Sequence, residues 1–98
     1  MNFRLLFAAQ AAEALRALRT NPAMSAQRKA VEKALGYMET NLKHSGLNTH
    51  EFTRLAQAFG QKVFESYAQN NTPGAWRIFW HCGPKKGEIT IVSIVEHP

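Results

Sequence analysis

The spacing of apolar residues changes at about Lys62 from a mainly helical part, opened by one short alternating stretch, to a strand part. At the start, Phe3, Leu5 and Phe7 alternate against Arg4, which predicts a short strand within the first seven residues. Ala11, Ala14, Leu15 and Leu18 then recur at i, i+3, i+4 and i+7, one apolar stripe of a helix that Asn21-Pro22 closes. Val31, Ala34, Leu35, Met38 and Leu42 share the face of a second helix, with Ser25 as its expected N-cap and Lys43 and His44 in its last turn. The two stripes predict a helical hairpin. Between Asn48 and Gln61 the signal is mixed. Phe52, Leu55, Ala56 and Phe59 have helical spacing, and Asn48 with Glu51 has the form of a capping box, so a short helix or an irregular connection ending at Gly60 is expected.

From Lys62 onward the period is two. KVFESYAQ (62–69), AWRIFWHC (75–82) and EITIVSIVEH (88–97) are rich in β-branched and aromatic residues and are separated by NNTPG and GPKKG, which predicts three antiparallel strands in a meander. The expected fold is α+β in the order β-α-α-β-β-β, an N-terminal strand and a helical hairpin packed on a mainly antiparallel sheet. One domain, 1–98, accounts for the whole length.

With 45% hydrophobic and 19% charged residues the chain has enough apolar surface for a core, which argues against a disordered segment. Cys82 is the single cysteine, so neither an internal disulfide nor a multi-thiol metal site is open to it. All seven acids are Glu, and the twelve basic residues leave a net charge of +5. The lack of Asp removes the commonest ligands of Mg²⁺ and Ca²⁺, so no metal and no cofactor are expected. A pI near 9.8 points to an anionic partner, with nucleic acid or an acidic protein ahead of a membrane surface. Arg4, Glu13, Arg16 and Arg19 interrupt the opening apolar stretch, so neither a membrane span nor a signal segment is expected, and the cytoplasm is the expected location. Arg16, Arg19, Arg28, Lys29 and Lys33 fall on the outer face of the hairpin, most simply as a solvated face.

Candidate chemistry concentrates on the middle strand of the meander. Trp76, Ile78, Trp80 and Cys82 alternate with Ala75, Arg77, Phe79 and His81, so an apolar face toward the helices leaves an outward face carrying Arg, an aromatic and His. Such a face can hold a phosphate on the guanidinium and stack a base on a ring. Turns centred near Asn71 or Thr72 and near Lys85 put Arg77 opposite Ser66 or Tyr67 on one side and opposite Ser93 on the other. His97 is then about 13 Å along the sheet from Arg77, a gap that one bulge can halve. Cleavage of RNA without a metal needs a base for the 2′-OH, an acid for the leaving 5′-oxygen and a cation for the phosphate. Glu51, His50, Glu65, His97, His81, Arg77 and Lys62 supply the side-chain types. Each also has a plain structural reading: a cross-strand ion pair of Arg77 with Glu65 or Glu88, exposed histidines, Trp76 and Trp80 in the core, and Lys85-Lys86 as a soluble turn.

In its order of elements the chain resembles the RelE/ParE superfamily of type II toxin–antitoxin toxins. The likeness rests on the short first strand, the basic hairpin, the strand Ala75-Trp76-Arg77-Ile78-Phe79-Trp80 and the terminal Ile94-Val95-Glu96-His97-Pro98. It implies a cognate antitoxin that wraps the chain and, in the RelE-like branch, cleavage of mRNA in the ribosomal A site. Arg77 matches the phosphate-binding Arg of RelE-like toxins, and His97 matches the C-terminal His or Arg used as acid by YoeB-like members. Glu51, or else His50, lies where those members carry a base, while Lys62 and Arg54 lie where RelE carries lysines. The implied catalytic set is Arg77, His97 and Glu51, with Lys62, Arg54, His81, Lys85 and Lys86 as RNA-binding residues. The implied activity is a metal-independent, ribosome-dependent mRNA endonuclease; the alternatives are a ParE-like gyrase inhibitor and a member that only binds a partner or nucleic acid.

Overall fold

The computed structural model describes residues 2–97. The elements are β1 (Arg4–Phe7), α1 (Ala9–Thr20), α2 (Ser25–Thr40), β2 (His50–Glu51), α3 (Thr53–Phe59), β3 (Phe64–Tyr67), β4 (Trp76–Cys82) and β5 (Glu88–Glu96). They form one five-stranded sheet in the order β1-β5-β4-β3-β2, in which only the β1–β5 pair is parallel. The hairpin of α1 and α2 covers one face, so the α+β arrangement expected from the pattern is the one observed. The short β2 and α3 are inserted between the hairpin and the meander.

The two helical stripes do what their spacing requires. Ala11, Leu15 and Leu18 of α1 and Val31, Ala34, Leu35 and Met38 of α2 are buried with Ile78, Trp80, Ile89, Ile91 and Ile94 in one cluster. Asn21 ends α1 and caps the 3-10 turn Pro22–Met24, its side chain accepting from the Ala23 N–H at 3.0 Å. On the basic outer face, Arg19 and Arg28 both reach Glu32, at 3.3 and 3.0 Å, so two of its cations already have a counter-ion.

Four local expectations change. Ser25 is the first residue of α2 rather than its cap, because the 3-10 turn leads into the helix from Met24. That helix ends at Thr40, and Asn41, at φ −150° and ψ 72°, turns the chain out, so Lys43 and His44 lie beyond the last turn. Asn48 and Glu51 form no capping box: Asn48 is left-handed, with φ 46°, at the end of the 3-10 turn Ser45–Leu47, and Glu51 pairs in β2. α3 begins two residues later without a side-chain cap and stops, as expected, at a left-handed Gly60.

The fourth change sets the geometry of the site. Arg77 pairs with Tyr67 on β3, one of the two partners expected, but with Val95 rather than Ser93 on β5. Cys82 faces Ile89, one residue later than a turn centred on Lys85 gives, and a bulge at Val92, between the pairs Trp80–Ile91 and Phe79–Ser93, adds the second residue. The shift draws the C-terminal end of β5 back toward Arg77.

Candidate functional site

Alternation along β4 sends Trp76, Ile78 and Trp80 to the helices and Arg77, Phe79 and His81 to the other face. The same parity brings Glu65 and Tyr67 of β3 to that outward face, and His50 of β2 pairs with Glu65. It is not an open face, however. Phe52 meets Phe79 edge-on at 4.9 Å, and Phe59 lies 5.9 Å from the His81 ring, so α3 and the residue before it cover the middle of the sheet.

Arg77 itself is only 8% exposed, which corrects the expectation of a guanidinium facing solvent. The Tyr67 ring lies over it, 3.6 Å from Cζ to the ring centroid, a cation–π contact made possible because the two residues are direct cross-strand partners. Nη1 donates to the carbonyls of Gln69 and Trp76. Nε stands 3.6 Å from Glu65 Oε2, too far for a hydrogen bond, and is buried without a hydrogen-bond partner among the described residues. The ion pair with Glu65 is the plain structural reading of Arg77, and it is the one observed.

Glu65 is shared. Its Oε1 lies 2.7 Å from His50 Nε2, while His50 Nδ1 lies 3.0 Å from the Asn48 carbonyl oxygen. Both ring nitrogens of His50 thus face acceptor oxygens, the Asn48 carbonyl on one side and the Glu65 carboxylate on the other. A chain therefore runs from Asn48 through His50 and Glu65 to Arg77.

The remaining predicted residues divide between the two ends of the sheet. His97 is exposed, and its N–H donates to the Ala75 carbonyl at 2.7 Å. It lies two residues past Val95, the partner of Arg77, which is about 7 Å along the sheet instead of about 13 Å. His81 sits at the opposite end of β4, its Nδ1 2.9 Å from the Cys82 carbonyl oxygen. Lys62, Lys85, Lys86 and Arg54 are exposed, the first three toward that same end. Glu51 is 4.0 Å from Lys62 and pairs opposite Phe64, whose ring stacks on the inward-facing Trp80, so Glu51 is not brought to Arg77. The structure thus groups Arg77, Glu65, Tyr67 and His50, places His97 two residues beyond Arg77 on the side away from Glu65, and leaves Glu51 and the lysines apart. The carbonyls of Asn48, Gln69 and Trp76 carry no sequence signal, because a backbone acceptor leaves no mark on residue type.

This geometry sits on a known scaffold. The chain superposes on a chain of the archaeal RelE–RelB complex from Pyrococcus horikoshii OT3 with a TM-score of 0.61, covering 98% of this chain and 96% of that one at 12% identity. The fold is RelE-like. The sequence itself matches no family model and no curated protein. Among the described residues no helix of this RelE-like fold is long and apolar enough to cross a membrane, and no three His, Cys or Glu side chains converge as a metal site.

Proposed function

We propose that the chain is the toxin of a type II toxin–antitoxin module and acts as a metal-independent, ribosome-dependent mRNA endonuclease in the cytoplasm, held in check by a cognate antitoxin. The observation that carries this reading is the convergence of Arg77, Glu65 and His50 on one outward face of a RelE-like sheet, with His97 about 7 Å past Val95, the β5 partner of Arg77. A carboxylate there takes the proton of the ribose 2′-OH as its oxygen attacks phosphorus. The guanidinium of Arg77 neutralises the crowded phosphate, and His97 gives a proton to the departing 5′-oxygen. The products are a 2′,3′-cyclic phosphate and a 5′-hydroxyl end. Glu65 suits the base role better than Glu51, since it is already beside Arg77 while Glu51 is engaged with Lys62 on the other side of β2. Arg54, Lys62, His81, Lys85 and Lys86 then serve the RNA backbone further along the sheet.

The test is inducible expression with mapping of mRNA 5′ ends by primer extension. The expected result is arrest of translation with new mRNA ends, relieved by Arg77→Ala, His97→Ala and Glu65→Gln but not by Glu51→Gln. Unchanged growth and intact mRNA with soluble protein sink the reading. The cover over Arg77 favours one second reading, a member that binds without cutting, whether a ParE-like gyrase inhibitor or a binder of a partner or nucleic acid. Growth arrest with a DNA damage response and intact mRNA would select the gyrase form.

A further inference from the structure

We propose that the site at Arg77 binds a phosphodiester by exchange: in the free protein Glu65 fills the anion position of the guanidinium, and an incoming phosphate replaces it while His50 keeps hold of the displaced carboxylate. The inference rests on the reading of this face as the RNA site and adds how access to it is governed.

Three observations carry it. Arg77 is nine-tenths covered, and among the described residues the groups against its guanidinium are the Tyr67 ring, the Gln69 and Trp76 carbonyls and Glu65. Only Glu65 is an anion, so only Glu65 occupies the place that a phosphate oxygen needs. Next, the contact is a poor one for a buried pair: Nε and Oε2 are 3.6 Å apart, and Nε is left without a hydrogen bond. A phosphate oxygen at ordinary charge-assisted distance would satisfy that donor, which the carboxylate does not. Finally, Glu65 has a second holder. His50 Nε2 is at 2.7 Å, nearer than Arg77, and half of its side chain is exposed, so the carboxylate can turn toward His50 without becoming an unpaired buried charge. The charged or titratable groups paired with Glu65 are thus His50 from β2 and Arg77 from β4, with the Tyr67 ring against both of them and the apolar Phe79 opposite Glu65 on β4. The displaced carboxylate stays next to the bound phosphate, where the proposed cleavage needs its base.

The exchange predicts opposite signs at two partners of one carboxylate. Binding is measured by fluorescence anisotropy at fixed salt with a short 2′-O-methyl RNA, which lacks the attacking hydroxyl and is not cut. Glu65→Gln should tighten binding by about tenfold, the scale of one close charge interaction. His50→Ala should weaken it severalfold, because Glu65 then has no other holder. In an Arg77→Ala background Glu65→Gln should have no effect, and Glu13→Gln, which removes an exposed acid on α1, should change affinity less than twofold. The proposal is overturned if Glu65→Gln leaves affinity unchanged or lowers it, or if it tightens binding equally without Arg77 or no more than Glu13→Gln does. Should Glu65→Gln fail to fold, His50→Ala decides alone, and unweakened binding overturns the exchange. Binding with these signs in a protein that cuts no mRNA would support the exchange and overturn the nuclease. Cleavage of mRNA with flat responses at both partners would do the reverse.

Discussion

The side-chain amide of Gln10 bonds both backbone groups of Ile94, its Nε2 donating to the carbonyl at 3.2 Å and its Oε1 accepting from the N–H at 3.0 Å. β1 ends at Phe7, opposite Ile91, and Ala8 adds one more bond to the Ile91 carbonyl, so β5 runs on past its neighbour. Gln10, on the first turn of α1, stands in for the strand that is missing there. The backbone of the nearly inaccessible Ile94 would otherwise be left unsatisfied. Gln10→Ala should therefore cost about 1–3 kcal/mol, read as a lower urea midpoint with an unchanged slope.

A buried hydroxyl plays the corresponding part on the helix side of the sheet. Trp80 Nε1 donates to Ser66 Oγ at 2.8 Å, and Thr49 Oγ1 lies 2.7 Å from the same oxygen. Ser66→Ala orphans the indole N–H and should lower stability by about 1–3 kcal/mol. In a Trp80→Phe background the same change should cost clearly less, and a double-mutant cycle by denaturant unfolding measures the difference.

α3 is held to the sheet chiefly through rings. Phe52 packs edge-on against Phe79, and Phe59, 42% exposed, touches His81. Seven residues make a marginal helix by themselves. Phe52→Ala should speed hydrogen exchange at the amides of 53–59 well before it changes exchange in β4 and β5, as followed by NMR.

The Arg77–Glu65 pair is a stability feature as well as a chemical one. Glu65→Leu leaves a buried guanidinium without its anion and should cost about 3–5 kcal/mol in chemical unfolding. Replacing both, Arg77→Met with Glu65→Leu, should bring stability back to within about 1 kcal/mol of the parent. A double variant as unstable as Glu65→Leu would show that Tyr67 and Gln69, and not charge balance, set the cost.

Much of the architecture is legible in the sequence because it depends on local periodicity. The stripes Ala11-Leu15-Leu18 and Val31-Ala34-Leu35-Met38 bury one face of each helix, and the alternation Trp76-Ile78-Trp80 against Arg77-Phe79-His81 assigns the two faces of β4. The pairing of Arg77 with Tyr67 was also within reach, since a turn around Asn71 leaves little choice. The insert at 48–61 was not: two residues of strand and seven of helix are too short for a period to declare itself, and the Asn48–Glu51 spacing imitated a cap that does not form.

Local pattern alone thus assigns the residue types and the side of its own element that each takes. The tertiary structure decided which of them meet. A bulge at Val92 and a turn displaced by one residue moved Val95 opposite Arg77 and brought position 97 closer, and neither leaves a signal in residue type, because register depends on how two distant segments share hydrogen bonds. Burial of Arg77 was likewise decided by β2, β3 and the loop at Gln69 together, which turned an apparently open cation into one already paired with Glu65.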